Sequence, residues 1–127
     1  MSDAITRGVH VHVESEYLEE ESVPERASYI FTYHITITNR SPQTIQLLTR
    51  HWIITNAEGV KEEIRGPGVV GEQPTLRPGE AFRYSSFCPL NTPVGSMQGA
   101  YQMVTDRQEQ FDAVIAPFSL AVPNTLH

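Results

Sequence analysis

Cys88 is the only cysteine among 127 residues, so no internal disulfide can form. A reducing cytosol is the compartment that such cysteine usage predicts. Long apolar runs are missing as well. No segment approaches the ~20 apolar residues that a bilayer-spanning helix requires, which excludes a channel or pump and predicts no membrane insertion. Basic residues are scarce: nine Lys and Arg stand against fifteen Asp and Glu, a net charge of −6. They are spread thinly, whereas neutralising phosphates takes clustered cations, so nucleic acid and anionic membrane surfaces are not expected partners. Met1-Ser2-Asp3-Ala4 lacks the basic-then-apolar shape of a secretory signal, a second pointer to the cytoplasm. Sustained helical periodicity is absent too, because prolines and glycines interrupt the chain too often for long helices.

What remains is a soluble composition, 39% hydrophobic, in a length suited to one domain over residues 1–127. Its pattern is period two. Between Thr6 and Tyr17, Val9, Val11, Val13 and Tyr17 share one parity, and His10, His12, Glu14 and Glu16 share the other. That is the signature of a half-buried strand. Tyr29 to Asn39 is the clearest strand, with Tyr29, Phe31, Tyr33, Ile35 and Ile37 on one face. Ile45 to Thr55 places Leu47, Leu48, Trp52, Ile53 and Ile54 on both sides, and Asn56-Ala57-Glu58-Gly59 reads as a hairpin turn into Val60–Arg65. Pro74 to Pro78 reads as extended or irregular. Gly79–Phe87, Ser96–Thr105 and Gln110–Ile115 complete seven strands, and Phe118, Leu120 and Val122 continue the alternation beyond Pro117. Short strands at this spacing predict an all-β sandwich or barrel.

Gly66-Pro67-Gly68-Val69-Val70-Gly71 matches GxGxxG, the spacing of a phosphate-binding turn. Such a turn works by opening a helix, whose N–H groups and dipole hold the anion. Here Glu72-Gln73-Pro74 and Arg77-Pro78-Gly79 follow, and no helix can start there. Pro67 also lacks an N–H, and no Lys-Ser/Thr pair follows. The competing reading is a crossover between sheets whose glycines allow positive φ and close backbone passage. Exposed loops on rigid scaffolds often carry recognition, so Gly66, Gly68, Val69, Val70, Gly71, Glu72 and Gln73 form the candidate binding loop.

Several segments resemble the ApaG family in order along nearly the whole chain. They are Phe31–Asn39, Gln46–Ile54, Gly68-Val69-Val70-Gly71-Glu72-Gln73-Pro74 and Leu76-x-Pro78-Gly79. Gly95-x-Met97-x-Gly99-x-Tyr101 and Phe118-x-Leu120-Ala121-Val122-Pro123 complete the set. Pro67 departs from the pattern, which leads one to expect an acidic or polar residue. The resemblance implies a fibronectin type III-like, immunoglobulin-like β-sandwich of antiparallel strands. It also implies a part in divalent cation homeostasis, namely cobalt resistance and magnesium efflux. In larger eukaryotic proteins, including an F-box protein and a polymerase-interacting protein, the domain resembles a protein-binding module.

The residues offer other chemistries for comparison. His10 and His12 lie two apart on one strand and point the same way, and His34 sits on the polar face of a strand that could be adjacent. Imidazoles on one face suit Co²⁺, Ni²⁺ or Zn²⁺, although a site needs a third ligand and supporting groups. The alternative is a set of solvated outward side chains. Glu14, Glu16, Glu19, Glu20 and Glu21 offer oxygen ligands for Mg²⁺ or Ca²⁺, but they read more simply as an acidic edge that discourages strand pairing. No nucleophile–base pair is identifiable around Cys88, Ser85 or Ser86. The expectation is a non-enzymatic, cytoplasmic binding protein that needs no cofactor and acts on an unidentified protein partner. Weak divalent cation binding and pyrophosphate or nucleotide binding at the glycine loop are the alternatives.

Overall fold

A computed structural model describes residues 1–123 of the chain. Its strands are β1 (Ser2–Thr6), β2 (Val9–Tyr17), β3 (Tyr29–Asn39), β4 (Ile45–Asn56), β5 (Lys61–Pro67), β6 (Thr75–Leu76), β7 (Ala81–Leu90), β8 (Val94–Thr105) and β9 (Gln110–Ala121). Two antiparallel sheets form a sandwich, one in the order β1-β2-β3-β7 and the other β5-β4-β8-β9, with β6 beside β4. This is the all-β sandwich that the alternation predicts.

Alternation also explains the core. Val9, Val11 and Val13 of β2 and Phe31, Tyr33, Ile35 and Ile37 of β3 face the opposite layer, where Trp52, Met97, Tyr101, Ile115 and Leu120 meet them. The parity breaks twice. In β4, Ile45 and Leu47 point inward, but the pairing with β8 jumps from Leu47–Met103 to Thr49–Gln102, leaving Leu48 as an extra residue. Beyond that bulge the even-numbered Arg50, Trp52 and Ile54 face inward. In β9 the register shifts between Ile115 and Phe118, and Ala116-Pro117 absorbs the change. A bulge suits proline, which cannot donate to the ladder.

Two expectations need correction, and one gains detail. The first strand is a hairpin: Ser2–Thr6 is a separate strand, turned at Arg7 (φ 48°) and Gly8 (φ 80°). The stretch Pro74–Pro78, expected to be extended or irregular, is extended at β6, which pairs Thr75 and Leu76 with Gln46 and Ile45. The glycine run is not the crossover between layers, because the segment after it returns to β4 of the same sheet. The chain changes layers at Arg77–Glu80. There the Gly79 N–H donates to the Asn39 carbonyl (2.7 Å) and the Asn39 N–H to the Glu80 carbonyl (2.9 Å).

The two flanks of the sandwich differ. On one, β1 and β2 lie against β9. Ser2 Oγ donates to the Ala116 carbonyl (2.9 Å), Ser15 Oγ donates to the Ser119 carbonyl (2.9 Å), and the Val114 N–H donates to Thr6 Oγ1 (3.1 Å). On the other flank, β7 and β5 are the edge strands of their sheets and make no comparable approach. The inward residues of β7 there are Phe82, Tyr84, Ser86, Cys88 and Leu90, while Phe87 lies on the outer face of its sheet and is 67% exposed.

Candidate functional site

The glycine loop is a hairpin tip pinned to β4. The Gly68 N–H donates to the Leu48 carbonyl (2.8 Å), and Val69 and Glu72 exchange two backbone hydrogen bonds of 2.8 and 2.9 Å. Between them Val70 (φ 43°) and Gly71 (φ 81°) supply the pair of positive φ angles that a type I′ turn requires. Gly68 is also constrained: φ is 60°, and a Cβ there would lie 2.3 Å from the Glu72 carbonyl oxygen. Val69 is buried in the core. Gln73 Nε2 donates to the Leu48 carbonyl (2.9 Å), and Gln46 Nε2 donates to the Gln73 carbonyl (3.2 Å). The N–H groups of Gly68, Val69 and Glu72 are thus spent within the protein, and a strand follows rather than a helix. The loop therefore lacks the helix end on which a dinucleotide-binding turn relies. What the tip does present is Val70, a β-branched residue in left-handed conformation and 55% exposed. That conformation costs about 1–3 kcal/mol.

The histidines divide. His10 and His12 share the outward face of β2 and meet Asp3 of β1, a partner that the sequence reading missed. His10 Nε2 lies 2.8 Å and His12 Nδ1 2.7 Å from the same oxygen, Asp3 Oδ1. These hydrogen bonds, His12 first and then His10, hold the Asp3 carboxyl below its ordinary range. His34 pairs in register with Glu14, but its Nδ1 lies 2.6 Å from Ser85 Oγ on β7. It therefore does not join the other two. Among the described residues no three His, Cys, Asp or Glu side chains are grouped so as to hold a metal ion. His51 lies 3.2 Å from Glu63, and His127 falls outside the described residues. Glu19–Glu21 form a 3-10 turn and, with Glu16, rim a groove of about 760 Å³ floored by Tyr17, Leu18, Ile30 and Phe87.

A third cluster lies at the open flank. Arg50 reaches the interior side of β4 because of the Leu48 bulge, and its Nη1 donates to the carbonyls of Pro67 (2.9 Å) and Gly68 (2.9 Å). Opposite it, Gly66 leaves the room: a Cβ there would sit 2.9 Å from Nη2. Arg50 therefore holds the base of the hairpin tip. It also borders a cavity of about 170 Å³ together with Tyr33, Trp52, Ser86 and Cys88. Burial pushes the Cys88 thiol up to about 12, so it is neutral and unreactive as a nucleophile. Burial likewise raises the phenols of Tyr33, Tyr84 and Tyr101, and the positive charge of Arg50 opposes the rise at all three. The Tyr84 and Tyr101 hydroxyls hydrogen-bond to each other. Sequence reasoning passed over Arg50. The available signal was its even spacing from Trp52 and Ile54, which puts a charge in line with two core residues.

A family model described as the ApaG domain matches residues 19–105. The chain belongs to the ApaG family. Protein ApaG of Acidithiobacillus ferrooxidans is 51% identical over 127 residues, the full length of both chains. Protein ApaG of Brucella anthropi is 54% identical over 123 residues, 97% of this chain and 95% of that one. Among solved structures, a Bordetella pertussis protein named ApaA superposes with a TM-score of 0.90 at 46% identity, covering 92% of this chain and 95% of its own. These ApaG relatives span the chain nearly end to end, so the hairpin tip, the histidine face and the open flank all fall within the shared length. Among the described residues, no helix is long and apolar enough to cross a membrane.

Proposed function

We propose that this ApaG-family chain is a non-enzymatic docking module that binds a protein partner through the hairpin tip Val69–Gln73. Through that partner it takes part in divalent cation homeostasis, in cobalt resistance and magnesium efflux. The observation that carries the reading is Val70. The tip is fixed from below by Val69, Arg50 and Gln73, yet its apex holds an exposed β-branched residue where glycine or asparagine would be unstrained. Backbone strain of this kind gathers at ligand clamps and recognition loops. The cation link comes with the family resemblance alone. The neutral, buried Cys88 thiol is consistent with an absence of nucleophilic chemistry.

The test is complementation. Cells lacking the chain are challenged with cobalt and supplied with the native protein, Val70→Asp, or Val60→Asp as an exposed control. Native protein and the control restore tolerance, and Val70→Asp does not while keeping the native circular dichroism spectrum. Full rescue by Val70→Asp removes the tip from the reading.

A further inference from the structure

We propose that the cavity between β5 and β7 binds a small organic carboxylate, recognised by Arg50 and Trp52. Three independent features converge on it. The first is the Trp52 indole. The residue is 2% exposed and lines the cavity, and its Nε1 is a buried donor with no hydrogen-bond partner among the described residues. Roughly nine in ten buried polar groups in native proteins are paired, so an orphaned indole N–H on a residue that lines a hollow calls for an acceptor that the described residues do not supply.

The second is the bulge at Leu48. Counted as an unbroken alternation from Ile45 and Leu47, Arg50 would share the outward face; the bulge at Leu48 turns a permanent cation toward the hollow instead. Arg50 Nη1 is engaged by the Pro67 and Gly68 carbonyls. A guanidinium has five N–H donors, and those on Nε and Nη2 have no partner among the described residues.

The third is the sign of the lining. Beyond Arg50 and Trp52, the polar groups are the hydroxyls of Tyr33 and Ser86 and the neutral Cys88 thiol, and among the described residues no carboxylate lines the cavity. An acidic influence comes from Glu62, which lines the adjoining hollow and acts on Cys88. Ile54, Ile64 and Met97 supply an apolar wall. A cation, an unpaired N–H and hydroxyls against hydrocarbon fit an anionic acceptor with a short apolar body. The volume of about 170 Å³ equals about five or six waters at ~30 Å³ each, which sets the ligand near butyrate or benzoate in size.

Trp52 is the only tryptophan, so its indole N–H gives one NMR cross-peak that reports from inside the site. The ¹⁵N-labelled full chain is titrated with butyrate and benzoate, then with butyramide, benzamide and sodium chloride. The carboxylates shift the indole peak saturably, with dissociation constants of about 1 mM or tighter, and the amides bind at least about tenfold more weakly. The amide signals of Gly68 to Gly71 move in the same titration, because Arg50 holds both the cavity and the hairpin base. Arg50→Gln weakens carboxylate binding by about tenfold or more. Ser86→Leu, which fills the hollow without touching the hairpin, abolishes it. An indole peak unmoved by carboxylate up to about 50 mM means that water alone occupies the hollow and overturns the proposal. Equal response to acid and amide also overturns it, because the charge of Arg50 would then play no part. Both of these readouts use the native protein and do not depend on either variant folding.

Discussion

Along one flank of the sandwich β1, β2 and β9 press together, and side-chain hydroxyls from Ser2, Thr6 and Ser15 stitch them. Along the other, β5 and β7 stand apart, a charge faces inward, and an indole N–H has no partner among the described residues. Both flanks use the same alternating strands, and both contain a bulge. At Ala116-Pro117 the shift restores the apolar face with Phe118 and Leu120. At Leu48 it brings Arg50 into line with Trp52. Tight packing is therefore not a uniform property of this fold. One flank is built for cohesion, and the other exchanges cohesion for polar groups that can meet something else.

The contrast is most sharply tested where the core is tightest. Leu120→Ala on the sealed flank deletes a fully buried side chain and is expected to cost about 2–5 kcal/mol, read from the urea midpoint. Ile64→Ala on the open flank, where the side chain is 38% exposed, should cost less than about 1 kcal/mol in the same measurement. Equal costs would erase the distinction. Next is Gly68→Ala at the hairpin base, where the added Cβ meets the Glu72 carbonyl at 2.3 Å and φ is 60°. A loss of about 1–3 kcal/mol is expected, with faster hydrogen exchange at Val69 and Glu72.

Val70→Asn acts in the opposite direction. It writes Asn-Gly into the turn, the pair that a type I′ hairpin favours, and should raise stability by roughly 1 kcal/mol. If the tip is the docking surface, the same variant loses cobalt tolerance while gaining stability, and thermal melts beside the complementation assay would show it.

The smallest effect belongs to Asp3. Its hydrogen bonds to His12 and His10 lower its folded pKa relative to the unfolded chain. Its stabilisation is therefore fully present above the unfolded carboxylate pKa and is lost as pH falls through the lower folded value. Asp3→Asn should flatten the acid side of the stability profile and leave a smaller difference from the native protein at the lowest pH. Unfolding midpoints across an acid series would reveal a mutant that follows the native curve if the pairing is inert.

Much of this arrangement was legible before any coordinates. Tyr29–Asn39 announces itself because aromatic and β-branched residues alternate without interruption. The absence of a helix after Gly71 follows from Pro74 and Pro78. Other features were hidden for physical reasons. Arg7-Gly8 turns the chain with Arg in a positive-φ position that usually belongs to Asn or Asp, so β1 merges by eye with β2. The Asp3 carboxylate is brought to His10 and His12 only by that hairpin. The inward turn of Arg50 depends on a register jump that the apolar residues Leu47 and Leu48 conceal, because either could take the core position. The histidine trio illustrates the limit of face arguments. His34 shares the outward side with His12, yet a hydroxyl on a neighbouring strand claims its ring.

The supernumerary Leu48 works like a shifted reading frame. Every side chain downstream of it in β4 has swapped sides relative to the count that Ile45 and Leu47 begin. An unbroken alternation through Leu48 would send a guanidinium and an indole out to water and pull Thr49, His51 and Ile53 in, whereas excising Leu48 alone would leave a plain ladder with Arg50 and Trp52 still facing inward. The strand's tally of residues is therefore as much a part of its chemistry as their identities.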